Sequence, residues 1–131
     1  MIGINIQAPW SQLLINSEKC VETRSYVLPD KYIGEELALI ETPGKRGKFK
    51  ARIIGTITFS HSFQYSSQQE WLSDYNRHKV SEDSEFGWKE DKDKYGWVVA
   101  QVVKFDTFYE APKHKGIIFT NNCYDVAPTG V

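Results

Sequence analysis

The chain has 131 residues, 16 basic and 17 acidic side chains and a formal charge of −1, with 40% hydrophobic and 25% charged residues, the proportions of a single globular domain. So balanced a charge excludes a protein that coats duplex DNA or an anionic bilayer through bulk electrostatics, and leaves room for one that reads a single nucleotide in a pocket. No run reaches the roughly 18 consecutive apolar residues of a membrane span. The start, Met1-Ile2-Gly3-Ile4-Asn5-Ile6, has neither the basic opening nor the long apolar stretch of a secretion signal. Cys20 and Cys123 lie far apart without CxxC spacing, which predicts free thiols in a reducing, cytoplasmic setting and neither metal nor cofactor. Four Trp, seven Tyr and seven Phe are a large aromatic complement, part of which is expected to serve function.

Ile2, Ile4 and Ile6 alternate with Gly3 and Asn5, the period-2 pattern of a half-buried strand. Pro9 suits a helix start, and Trp10, Leu13 and Leu14 at one-turn spacing predict a short amphipathic helix over 9–17. Val21 and Thr23 restart a strand with Glu22 and Arg24 on its opposite face. An apolar run at 36–41 is a third strand. Pro43-Gly44 opens a turn into a basic cluster, Lys45, Arg46, Lys48, Lys50 and Arg52. A fourth strand follows, with Ile53, Gly55, Ile57 and Phe59 on one face, and Gly55 marks a bulge or tight bend.

Ser67 and Glu70 form a capping box ahead of Trp71, Leu72, Tyr75 and His78, predicting a helix over about 68–79. Residues 81–94, dense in Glu, Asp and Lys, read as an exposed loop. Tyr95 begins a strongly apolar strand through Phe105, Gly116–Phe119 is a last short strand, and the tail from Thr120 shows no periodicity. Six strands with two short helices inserted between them predict an α+β fold. Uneven strand lengths and a central glycine favour a small curled or closed sheet.

The unusual stretch is Ser17-Glu18-Lys19-Cys20-Val21-Glu22-Thr23-Arg24. Glu22 and Arg24 share one strand face, and Lys19 at the helix end can lean over the same spot. A carboxylate between two cations stays ionised, and the trio makes a donor–acceptor array suited to a heterocycle edge or a phosphate. Composition alone also allows a solvated strand face carrying a weak ion pair.

Residues 4–24 resemble the opening of an ASCH domain, whose pattern is a strand, a Pro-aromatic pair, a short helix and then G-x-K-x-x-E-x-R. Lys19, Glu22 and Arg24 fall in register, with Ser17 in place of the glycine. The likeness continues through Tyr32-Ile33-Gly34, Ile53-Ile54-Gly55-Thr56-Ile57 and Tyr95-Gly96-Trp97. It assigns residues 1–119 to the domain and 120–131 to a C-terminal tail. The resemblance implies a PUA-like β-barrel with a cleft beside the first helix, floored by the charged trio. It implies RNA, a nucleotide or a modified nucleoside as ligand.

Three readings follow. As a binding module, Lys19 and Arg24 anchor a phosphate or carbonyl and Glu22 accepts from a base N–H. Trp10, Tyr95 or Trp97 stack on the ring, and Lys45, Arg46, Lys48 and Lys50 grip flanking phosphates. As an enzyme, Lys19, Glu22 and Arg24 are the catalytic candidates. Some small bacterial ASCH proteins are amidohydrolases of acetylcytidine, but their Thr nucleophile is replaced here by Glu22; others are metal-independent ribonucleases, for which Glu22 serves as general base and Lys19 or Arg24 stabilises the phosphorane. As a protein-interaction module, the loop Glu82–Trp88 docks on a partner. His61, His78 and His114 have no carboxylate at triad spacing, and Cys123 has no basic neighbour to activate it.

Overall fold

The computed structural model describes residues 1–44, 47–112, 118–120 and 123. In chain order they form β1 (Gly3–Gln7), α1 (Trp10–Ile15), β2 (Val21–Arg24), a single 3-10 turn at Asp30–Tyr32, β3 (Leu37–Thr42), β4 (Arg52–Gln64), α2 (Gln68–Ser73), α3 (Tyr75–His78), β5 (Tyr95–Glu110) and β6 (Phe119–Thr120). The strands make one six-stranded mixed sheet in the order β2-β5-β4-β3-β1-β6. β1 runs parallel to β3, and the other pairings are antiparallel.

The expected barrel is not formed: the sheet is α+β but open, with β2 and β6 as its edges. β6 pairs with two residues of β1 and Ile118 accepts from the Asn5 N–H at 2.8 Å; beyond Asn5, among the described residues, no backbone ladder joins β1 to β2. There the gap is spanned by a side chain, since Arg24 Nη2 donates to the Asn5 carbonyl at 3.1 Å.

β3 shows no alternation because both of its faces are covered. Leu37 and Leu39 join a core with Ile4, Ile6, Leu14, Ile57 and Phe59, while Ala38 and Ile40 pack with Ile53 and Phe105. Gly55 lies at the expected irregularity. The β4–β5 register shifts between Ile53 and Gly55, and a Cβ there would collide with the Val103 carbonyl and lie 2.7 Å from Ile15 Cδ1.

The helix expected over 68–79 starts as read, with Ser67 Oγ accepting from the Glu70 N–H at 3.1 Å, while the Glu70 carboxylate takes the Ser66 hydroxyl. It breaks at Asp74, giving three short helices where two were expected. The Asp74 carboxylate takes Arg77 at 2.6 and 2.9 Å together with the Tyr65 hydroxyl, local bonds of the kind that compete with a continuous helix. β4 and β5 both run past their expected ends, to Gln64 and Glu110. Of the predicted last strand, residues 116–117 lie outside the described residues, as does nearly all of the tail. Both cysteines are free thiols, Cys20 exposed and Cys123 buried. No helix among the described residues is long and apolar enough to cross a membrane.

Candidate functional site in the open seam

The site begins at the end of α1. Ser17 adopts φ 62°, its N–H bonds to the Leu14 carbonyl at 3.1 Å, and the Glu18 N–H bonds to the Leu13 carbonyl at 2.8 Å. This paired closure is the Schellman arrangement, which wants a left-handed residue at the position Ser17 fills. It turns the chain so that Lys19 points inward. Lys19 is 1% exposed; its ammonium donates to the His78 carbonyl and lies 3.4 Å from Glu22 Oε1. Burial pushes the Lys19 pKa below the usual lysine range, and the charge of Glu22 pulls it back up. A buried ammonium so placed is held by its partners.

His78 secures this anchor. Its Nδ1 accepts from the Val80 N–H at 2.9 Å, which requires an unprotonated Nδ1, so Nε2 carries the proton and donates to the Trp71 carbonyl at 2.7 Å. The ring stacks on Trp71 at 4.7 Å. Burial holds its pKa below the usual histidine value.

On β2, Glu22 pairs with Trp97 and Arg24 with Tyr95 of β5. Arg24 Nε and Nη2 both donate to Glu22 Oε2, at 3.1 and 2.8 Å, and Nη2 also donates to Asn5 O. These bonds use the Nε hydrogen and both Nη2 hydrogens, and the guanidinium also interacts with the Tyr26 hydroxyl. The guanidinium lies 5.8 Å above the Trp97 ring, and Trp97 is fixed by donating Nε1–H to the Tyr26 carbonyl at 3.1 Å.

A cavity of about 420 Å³ occupies the seam between β1 and β2, lined by Asn5–Gln7, Glu22–Arg24, Thr42–Gly44 at the end of β3, Trp10, Val80 and Phe86. Trp10 donates its indole N–H to the Lys79 carbonyl at 3.4 Å and meets Phe86 edge-on at 5.3 Å. Phe86 belongs to a folded loop: its N–H and that of Gly87 bond to Ser84, and the Lys94 ammonium donates to the Phe86 and Gly87 carbonyls at 2.8 and 3.1 Å. A second cavity of about 260 Å³ continues along the seam toward Ile118, sharing Thr23, Arg24 and Phe86 with the first.

Of the residues singled out in the sequence, the structure brings Trp10, Glu22 and Arg24 together around the cavity. Lys19 stands behind Glu22, out of reach of a ligand. Trp97 is 0% exposed and forms the buried pillar beneath Arg24, so it offers no face for stacking. Tyr95 lines neither cavity. Lys45 and Arg46 lie outside the described residues. Lys48 and Lys50 are exposed and also line neither cavity.

Arg52 is committed elsewhere. It donates to Glu41 Oε1 at 3.0 and 2.8 Å and is sandwiched between Phe49 and Phe108. Ser11 and Gln12 donate to the other Glu41 oxygen at 2.6 and 2.7 Å, which ties α1 to β3. Burial alone would raise the Glu41 pKa, yet these four donors hold it below the usual range.

Gln7 and Thr42 were missed, and Phe86 was foreseen only as part of the loop Glu82–Trp88 in the protein-docking reading. Thr23 also lines the cavity, from a strand whose alternation predicts it to point away from Glu22. Among the described residues, no three His, Cys, Asp or Glu side chains stand together as a metal site.

No family profile matches the chain, and no curated protein matches it in sequence. Solved structures do match in fold. The ASCH protein of Zymomonas mobilis superposes with a TM-score of 0.56 at 14% identity, over 76% of this chain and 66% of that one. Two single-residue variants of the same protein match with TM-scores of 0.56, at 13% and 14% identity and over 67% and 68% of their lengths. The chain has an ASCH-type fold. In this ASCH-type fold the seam lies beside the first helix, where the resemblance places a cleft, and the K-x-x-E-x-R side chains divide between its wall and its foundation: Glu22 and Arg24 line it, and Lys19 supports them from behind.

Proposed function

We propose that this ASCH-fold domain binds nucleic acid by taking one base of RNA, or a modified nucleobase, into the seam cavity. The observation that carries this reading is the Glu22 carboxylate. Arg24 fixes one oxygen and Lys19 stands 3.4 Å from the other, so an ionised acceptor is held rigid at an opening flanked by Trp10 and Phe86. A carboxylate in that position accepts from an exocyclic amine or a ring N–H. Arg24 and the amide of Gln7, on the same cavity wall, are the complementary donors, and the two aromatic side chains supply a stacking surface worth about 1–3 kcal/mol per base. The cavity has the size of small-molecule sites, about 300–1,000 Å³. A chain of net charge −1 suits a site one or two nucleotides long better than a long electrostatic track.

The test screens ribonucleosides, natural modified nucleosides and short RNAs for binding. Glu22→Gln alone would strand the buried Lys19 charge, so the variant of choice is Lys19→Met/Glu22→Gln, which removes both of those charges at nearly constant volume and keeps an amide oxygen to accept from the partly exposed Arg24. We expect it to melt within a few degrees of the parent and to lose at least tenfold in affinity. Phe86→Ala, which also gives up the edge-on contact with Trp10, should lose about tenfold in affinity and melt no more than a few degrees below the parent. A panel without any binder, or a binder held equally well by the double variant, overturns the reading. A hydrolase draws on the same carboxylate as general base, with Thr23 on the same wall. Product formation in the panel, in chelator, would move the conclusion to that alternative.

A further inference from the structure

We propose that the second cavity is a phosphate site continuous with the base pocket, so that the ligand is a nucleotide, not a free base or nucleoside. This rests on the reading of the first cavity given above. The two cavities are joined through shared walls, Thr23, Arg24 and Phe86, and they differ sharply in charge. Around the first, Glu22 and Arg24 cancel. Around the second stand Arg24, Lys89, Lys92 and Lys94 against only Glu85 and Asp93.

Two of these cations are unengaged: among the described residues, the ammonium groups of Lys89 and Lys92 make no ion pair or hydrogen bond with a protein group. Lys94 is the positioning residue. Its ammonium holds the Phe86 and Gly87 carbonyls and so fixes the loop that carries Phe86 at the junction of the two cavities. Lys94 stands beside Arg24, Lys89 and Lys92 on the wall of the second cavity, so an anion entering this space meets convergent positive charge. Arg24 links the halves: Glu22 orients its guanidinium, which borders both cavities. A base in the neutral cavity would project its phosphate past Phe86 toward Lys89 and Lys92. The sequence predicts phosphate contacts from Lys45, Arg46, Lys48 and Lys50; Lys89 and Lys92, on the loop at 81–94, are the cations that line this cavity.

The experiment compares, on the full chain, inorganic phosphate alone, the four ribonucleosides with the modified nucleosides, their 5′- and 3′-monophosphates, and a trinucleotide. Binding is followed by amide chemical shifts and titration. Inorganic phosphate is expected to shift the Gly87 and Lys94 amides. A monophosphate should bind at least tenfold more tightly than its nucleoside and weaken as salt rises, whereas the nucleoside should not. Lys89→Gln/Lys92→Gln should remove that advantage while leaving nucleoside affinity and melting temperature unchanged.

Monophosphates and nucleosides binding alike, with the double variant indifferent, overturn the phosphate site and leave the base pocket standing. Phosphate shifting those amides while no base-bearing probe gains affinity over it supports the phosphate site and overturns the base pocket. Tighter binding of the trinucleotide than of any monophosphate identifies an RNA strand as the source of the phosphate, and the reverse identifies a free nucleotide.

Discussion

Ser17 closes α1 in a left-handed conformation, φ 62°, that costs an L-residue about 1–2 kcal/mol. Its side chain is exposed, so the position asks only for backbone freedom. Ser17→Gly should therefore stabilise the protein by about 0.5–1 kcal/mol once the greater freedom of glycine in the unfolded chain is subtracted. The expected rise in melting temperature is about 2–5 °C. An unchanged or lower value would show that the strain is already relieved locally. The same turn delivers Lys19 to the interior, and here the sequence was only half legible. The spacing of Lys19, Glu22 and Arg24 foretold that the three would meet. It did not foretell that Lys19 would be sealed behind the other two, because its burial depends on α3 presenting the His78 carbonyl from 59 residues away. Trp97 was misjudged for a related reason: one strand position of an aromatic residue looks the same whether its outer face meets solvent or, as here, Tyr26, Phe59 and Phe119.

Elements were legible where a local pattern decides them. Ile4 and Ile6 alternate into one core, Ser67 caps α2, and Gly55 sits at a register shift. Gly55 offers a sharp test, because the atoms a methyl group would meet are the Val103 carbonyl and Ile15, both held by paired strands or by the helix packed on them. Gly55→Ala should cost about 2–3 kcal/mol through overpacking. Gly34, at φ +73° with nothing within 4 Å of a built Cβ, should cost only about 1 kcal/mol on the same substitution, all of it backbone strain. Chemical denaturation of the two variants side by side checks the order; equal losses would mean that the strands separate easily at the bulge. The full length of β5 was not legible, since Lys104, Asp106 and Thr107 interrupt its apolar run. They lie on a strand that continues because β4 pairs with it as far as Glu110. The loop at 81–94 hid its role in the same way: nothing local to it says that Phe86 meets Trp10.

At the scale of the molecule, the described residues leave a seam with two cavities between the sheet edges, and the groups securing that seam make stability depend on pH in a definite direction. His78 sets that direction. In the folded state it is fully buried, neutral and bonded through both nitrogens, and its pKa lies below the ordinary value of 6.5. Asp74 favours its protonation while Lys19 and Lys94 oppose it. A depressed folded pKa means that the unfolded chain binds the proton first, so stability is full above 6.5 and is lost as pH falls, by at most about 1.4 kcal/mol per pH unit for one proton. Asp74 and Glu41, also held below their ordinary values, add their losses in the same direction, but only as pH drops below the carboxylate range. Unfolding free energies from urea titrations at pH 7.5, 6.5, 5.5 and 5.0 should therefore be flat above 6.5 and decline below it. In His78→Gln, whatever its absolute stability, the profile should be flat down to about pH 5. If the parent is flat across that interval, or if the variant declines as steeply as the parent, His78 is not the group that holds α3, and through it Lys19, in place.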